Sequence, residues 1–353
     1  MYYVFSSLPH SASRPSLITN VPTSVEFIER ADSLLHLSYS IVSKLYDNQS
    51  SDWASHADDE VLRDYWEKCA PSLANALALL QQAHELYLKG KIAEVSPYLL
   101  LARDPQQWPK GSISKDVSFS EFLTVGASEL PRLHDMVCSP RLDDQTKTFL
   151  NSFRERRNMF VHQGHAPTSS AAELFFAVLK THKWAHPSIH WFDARDSHLS
   201  NDHLSTLFDT DHVMSNLHGE FSELMKELTP SAFKDVLGFN KKGRWYFCPH
   251  CKLQMGDFSD SARATAQLGI DKKTPTAKCL VCSTEIQVLR RKCHDPNCKS
   301  TVYAVASTEW DEHCMECGAD DDFANREKSE GPIFAFADPF SWTTKADDSG
   351  SEG

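Results

Sequence analysis

Eight of the chain's ten cysteines fall between residues 248 and 317, as Cys248-x2-Cys251, Cys279-x2-Cys282, Cys293-x4-Cys298 and Cys314-x2-Cys317. A CxxC turn delivers two thiolates from one tight bend, and zinc takes four such soft ligands in a tetrahedron. Four pairs therefore make two closed sites with no open position for catalysis, so the expected cofactors are two structural zinc ions and no catalytic metal. The first twenty residues carry neither a basic lead nor a sustained apolar core. A secretory signal is not expected, the expected location is cytoplasmic, and metal rather than disulfide accounts for the cysteines.

Taken in sequence order, Cys248, Cys251, Cys279 and Cys282 hold one ion with 27 residues between the knuckles, and Cys293, Cys298, Cys314 and Cys317 hold the other with 15 between. A crossed arrangement pairing alternate knuckles stays open. The longer gap implies an insert at 252–278. Strand-like segments flank the knuckles (245–247, 286–289 and 301–305), as in zinc ribbons. His250, His294 and His313 sit beside ligands, but four cysteines per site suffice, which leaves these histidines as outer partners or surface groups. Cys69 and Cys138 stand alone and read as buried thiols.

With 353 residues, the chain has room for two or three domains. It has no apolar run of about 18 residues, which excludes a membrane-spanning helix. The net charge of −12 argues against a chain coated in nucleic acid, but the charge is unevenly placed. Residues 241–300 carry a net +7, and residues 319–353 a net −6. In the basic stretch Lys241, Lys242, Arg244, Arg290, Arg291 and Lys292 flank the knuckles, with Trp245, Tyr246 and Phe247 interleaved. Basic groups can grip a phosphate backbone and aromatics can stack unpaired bases, but alternating aromatics of a strand equally suit a small core. The tail carries Phe334, Phe336, Phe340 and Trp342, too apolar for a free linker, which can dock on the body, on a partner or on the basic surface.

Up to about residue 240 the apolar periodicity is helical. Helices are expected over 24–47, from Pro71 through Leu73, Leu77, Leu80 and Tyr87, from Asp143-Asp144 through Phe149, Leu150, Phe153 and Phe160, and over 212–228. An apolar stretch begins at Pro97, and Ser170 with Glu173 forms a capping-box pattern ahead of Leu174 and Phe175. No carboxylate cluster suited to two magnesium ions stands out in this half. Asp58-Asp59 and Asp143-Asp144 fit helix starts instead.

Arg157 lies near the apolar stripe of Phe149, Phe153 and Phe160, where a guanidinium is costly unless it meets an anion or an interface. His162 follows five residues later, just before Gln163-Gly164, where the helix is expected to stop. In an unbroken helix the two side chains leave about 140° apart, so convergence needs a terminating turn and the long Arg side chain. A bundle-edge Arg and a capping His form the plainer alternative.

The segment Arg157-Asn158-Met159-Phe160-Val161-His162 resembles the Arg-polar-x3-His signature of HEPN ribonucleases, and Glu85-Leu86-Tyr87-Leu88-Lys89-Gly90 is similar to a pattern on an earlier HEPN helix. The resemblance covers about residues 24–190. It implies a helical bundle that dimerises, with two motifs facing across a composite cleft and cutting RNA without a catalytic metal. His162 would then transfer protons, Arg157 would hold the phosphate and Asn158 would orient one of them or touch the ribose. Glu85 and Lys89 equally make an i,i+4 helix pair.

The resulting expectation is a mainly α chain. It comprises a HEPN-like helical domain at 1–200, a helical connector at 201–240, zinc ribbons at 241–290 and 291–320, and an acidic, aromatic tail at 321–353. Its expected function is metal-independent endoribonuclease action on RNA, perhaps tRNA, by 2′-hydroxyl attack, as a homodimer with no membrane association. Family association adds a toxin-like or phage-defence role with an inhibitor or trigger protein. The alternatives are a non-catalytic HEPN scaffold and a zinc-ribbon nucleic-acid-binding regulator.

Overall fold

In the computed structural model the described residues are 17–49, 58–102, 104, 106, 108–110, 115–163, 169–201, 211–256, 262–269 and 275–318. They form a mainly helical body that carries the cysteine knuckles at its C-terminal end. The tail and its four aromatics lie outside the described residues.

Two 26-residue helices, α1 (Ser24–Gln49) and α3 (Ala70–Val95), make the spine. Ala31, Leu35, Tyr39 and Val42 recur at helical spacing on α1 and are fully buried, as are Ala76, Leu77, Leu80 and Ala83 on α3. The helices run antiparallel and close. The Ser38 hydroxyl donates to the Ala76 carbonyl at 2.8 Å, and at the far end a Cβ on Gly90 would come within 2.8 Å of the Ile28 side chain. Between them lies α2 (Asp59–Lys68), whose N-cap Asp58 accepts from the Glu60 and Val61 amides, the helix-start role expected of that acidic pair.

The helix α4 (Leu130–Val137) and two short strands, β1 (Ile18–Thr19) and β2 (Val117–Ser118), paired in parallel, enclose a second, smaller core. That core contains Leu88, Ile92, Leu100, Phe119, Leu133 and Leu150. The apolar stretch after Pro97 is a short 3-10 turn, Pro97–Leu100. The long helices α5 (Asp144–Gln163) and α6 (Ala171–Ala185) then pack on the spine. Three further helices, α7 (Trp191–Ser200), α8 (Asp211–Glu227) and α9 (Pro230–Leu237), complete the bundle.

A buried ion pair pins three of these elements. Arg195 of α7 donates from Nε and Nη2 to Glu220 of α8 at 2.8–3.2 Å and from Nη2 to Ser40 of α1 at 2.9 Å, with its guanidinium over the Tyr39 ring.

The C-terminal part is a short helix, α10 (Pro249–Met255), and one five-stranded antiparallel sheet in the order β3 (Ala266–Leu268), β4 (Thr276–Cys279), β5 (Glu285–Arg290), β6 (Val302–Ala304) and β7 (His313–Cys314). Because β5 pairs with both β4 and β6, the sheet runs through the boundary expected at 290/291. The first half of this sheet shares the main bundle core, since Tyr246, Ala266, Ala277, Val281 and Ile286 belong to the same apolar cluster as Leu217, Phe221 and Leu237. The segment expected as a connector is part of that core: Leu217, Phe221 and Leu224 are at most 4% exposed. No helix among the described residues is long and apolar enough to cross a membrane.

Candidate metal centres and the Arg157 helix

The eight cysteines gather into two quartets in sequence order, and the crossed pairing is not seen. Cys248, Cys251, Cys279 and Cys282 have all four sulfurs within 4.8 Å of one another, and so do Cys293, Cys298, Cys314 and Cys317. Cys248 and Cys282 sulfurs are 3.6 Å apart, as are those of Cys251 and Cys279; the second quartet shows 3.5 Å for Cys293–Cys317 and 3.9 Å for Cys298–Cys314. A tetrahedron with metal–sulfur bonds of about 2.3 Å has edges of about 3.8 Å, so a zinc-sized ion fits each quartet without rearrangement.

The local sequence builds each turn. Cys248 is the N-cap of α10, with Pro249 opening the helix, so that Cys251 comes round onto the same side. At the second knuckle Ser283 has a φ of 58°, and the Cys282 amide lies 3.5 Å from Cys279 Sγ. Thr265 and Thr284 hydroxyls stand 3.3 and 3.2 Å from the sulfurs of Cys279 and Cys282, a polar shell of the kind that stabilises bound thiolates. The last knuckle ends on Gly318, whose φ of 76° suits glycine and whose amide caps the Cys314 carbonyl at 2.8 Å. His250 hydrogen-bonds Cys282 as an outer partner, while His313 Nδ1 lies 2.8 Å from the Asp311 carbonyl. Neither histidine belongs to a quartet. Cys69 is buried away from both sites, and Cys138, half-buried, points its thiol at the Lys91 carbonyl.

The two quartets sit in different surroundings. Cys248, Cys251 and Cys279 are at most 1% exposed within the main core, whereas in the second quartet Cys298 is half-buried and Cys317 is exposed.

The basic residues expected to grip nucleic acid divide into two groups. Arg244 pairs with Glu316, Arg291 pairs with Glu312 at 2.8 Å over the Tyr303 ring, and Lys241 donates to the Leu228 carbonyl. Lys242, Arg290 and Lys292 remain exposed. Trp245 packs on Phe221 and Phe239, and Tyr246 is 4% exposed, so these aromatics serve the core.

Helix α5 carries the Arg-Asn-x3-His segment. Asp143 caps its start, accepting from the Thr146 amide at 2.6 Å. Its packing side is Phe149, Leu150 and Phe153, with Phe160 only half-buried. The helix runs unbroken through 157 and 162 to Gln163, so the turn expected to bring Arg157 and His162 together does not fall between them. The His162 side chain lies outside the described residues.

The arginine that meets an anion beside the apolar stripe is Arg156. It lies over the Phe153 ring and donates to Glu173 at 2.6 Å and Ser169 at 3.1 Å. This also divides the expected capping box: Ser170 accepts from the Glu173 amide at 3.2 Å, but the Glu173 carboxylate turns to Arg156 instead of the cap. The sequence signal was Arg156 three residues after Phe153, with a helix-start glutamate just downstream. Arg157, half-buried, donates only to its neighbour Asn158 at 3.2 Å, and its buried Nε has no hydrogen-bond partner. Glu85 accepts from Gln81 at 2.5 Å, an intrahelical contact that leaves Lys89 out. No protein-family model, no curated protein and no solved structure matches this chain.

Proposed function

We propose that this chain is a metal-independent endoribonuclease of the HEPN type, carried on a bundle braced by two structural zinc ions. The observation that supports it is the state of Arg157. Arg154 and Arg156 on the same helix are engaged by Asn151 and by Glu173, whereas the Arg157 guanidinium meets no carboxylate among the described residues and keeps an unpaired Nε. A half-buried planar fork of donors without an anion suits a phosphodiester.

In the reaction the ribose 2′-oxygen attacks the adjacent phosphorus as an imidazole removes its proton, and the P–O5′ bond breaks. The leaving 5′-oxygen is protonated, leaving a 2′,3′-cyclic phosphate and a 5′-hydroxyl. His162 is assigned the proton transfer, Arg157 the charge growing on the phosphoryl oxygens, and Asn158 the orientation of Arg157. Positions 157 and 162 leave one straight helix about 140° apart, which favours a cleft completed by a second copy and hence a homodimer. Lys242, Arg290 and Lys292 are the cations left for an RNA backbone. A cytoplasmic toxin-like or defence role, with an inhibitor or trigger protein, fits an enzyme that must be held silent.

The test is cleavage of total cellular RNA and of tRNA without added divalent metal, with product ends mapped. Wild type is expected to leave cyclic ends. His162→Ala and Arg157→Ala are each expected to lose about 10²-fold or more in rate. Equal cleavage by wild type and His162→Ala would refute the assignment. A non-catalytic scaffold is the second reading, favoured by the unbroken helix between the two motif residues and the burial of Tyr246.

A further inference from the structure

Away from the quartets and from Arg157, a cavity of about 620 Å³ opens between α1, the end of α6 and α7. Its lining includes Asp32, His36, His182, His186 and His198, and no lysine or arginine. Asp32 and His36 are one turn apart on α1, and His182 and His186 are one turn apart at the end of α6. Two i,i+4 pairs on separate helices thus border one space, the arrangement by which helical bundles build internal metal sites.

The hydrogen bonds set the tautomers of the α6 pair. His186 Nε2 lies 2.7 Å from Asp32 Oδ1, which also accepts from the Tyr87 hydroxyl at 2.5 Å. His182 Nε2 lies 3.0 Å from the Ile189 carbonyl. A carboxylate and a carbonyl only accept, so both histidines donate from Nε2, and in the neutral ring Nδ1 keeps its lone pair. Imidazole ligands of metals are held this way, by an outer carboxylate or carbonyl on the far nitrogen.

A third imidazole lacks any such engagement. His36 is 4% exposed, stacks on His198 at 4.4 Å and on Trp191 at 5.0 Å, and its buried Nδ1 has no hydrogen-bond partner. Burial holds the His36 and His182 rings well below the usual range, at about 2 and about 4, so both are neutral donors at physiological pH. With Glu29 and Asp32 on the wall, the cavity favours a cation.

We propose that this cavity binds one divalent transition-metal ion through the imidazoles of His36, His182 and His186, with Asp32 positioning His186. Nitrogen donors of this kind suit zinc, nickel or cobalt. Among the described residues only the cysteine quartets gather three or more donors within 4.8 Å, so binding draws the three rings inward. The site is independent of the ribonuclease reading.

The experiment titrates cobalt(II) into the full chain with both cysteine quartets already filled with zinc. The expected result is one further equivalent, with the weak visible bands of nitrogen and oxygen coordination and without thiolate-to-cobalt charge transfer. His186→Gln, which preserves a donor toward Asp32, is expected to lose that equivalent. Asp32→Asn is expected to weaken binding about 10–100-fold, and it serves as the test if His186→Gln proves unstable. No further equivalent in the wild type, a further equivalent with thiolate bands, or unchanged affinity in the folded variants would overturn the proposal.

Discussion

The two cysteine quartets carry the same donor set on similar spacings, yet they occupy different mechanical positions. The first is walled by the bundle: its cysteines share an apolar cluster with Leu217, Phe221 and Leu237, and Ser283 beside its second knuckle donates to Asp193 of α7 at 2.6 Å. The second is backed by little more than Tyr303 and Leu289, with Cys317 open to solvent. Identical chemistry therefore serves two ends. One ion would tie the sheet into the helical core, and the other would only close the end of the sheet.

The comparison is broken most sharply by removing one ligand from each quartet. Structural zinc contributes about 10–16 kcal/mol in small zinc-dependent domains, comparable with the whole stability of an ordinary one. Cys279→Ser is expected to lower the melting temperature of the helical signal or abolish the cooperative transition. Cys317→Ser is expected to leave that transition within about 1 kcal/mol of wild type. Thermal melts followed by circular dichroism decide this, and equal effects would mean that the two sites are equivalent. A chelator is likewise expected to strip the second quartet first.

A lesion in the helices beneath the first quartet gives the next largest effect. Glu220→Ala leaves Arg195 buried without its partner and is expected to cost about 3–5 kcal/mol. Because α7 and α8 floor the first quartet, chelator release should quicken there and not at the second, as followed by a colorimetric zinc indicator.

The smallest effect is a pH slope from the same helix. Burial pushes the Glu223 carboxyl up to about 9, against the opposing hydrogen bond from Ser43. From about pH 4.5 to 9 the unfolded chain has released this proton while the folded chain retains it. Stability should therefore fall as pH rises, by at most about 1.4 kcal/mol per pH unit. Glu223→Gln is expected to flatten that part of the profile in denaturant titrations, with no change in metal retention by the second quartet.

Much of the helical order is legible in the sequence. Ser24–Gln49, Ala70–Val95, Asp144–Gln163 and Asp211–Glu227 lie where periodicity and Pro or Asp starts put them, because each buries an apolar stripe of several turns. Short helices such as Trp191–Ser200 and Pro230–Leu237 were not legible, since two turns carry too little periodicity to stand out. The strand β3 was missed for a related reason: Ala266–Leu268 is a strand through its pairing with β4. At the candidate site, the ligands were readable but their differing burial was not. The arginine that stacks on Phe153 was read as Arg157 and is Arg156, one residue away on a helix where one residue turns about 100°.

The sequence by itself determined the donors and their pairing into knuckles, because a CxxC turn is local and its thiolates come from residues three apart. It determined the long helices for the same reason, since an i,i+3/i+4 stripe is a local pattern. Only the tertiary structure decided that one quartet is embedded in the bundle core and the other borders solvent. It also decided that Arg195 finds Glu220 from 25 residues away and that Asp32, His36, His182 and His186 border one cavity. Those relations join residues from distant segments, and they arise only when the apolar surfaces of the helices close on one another.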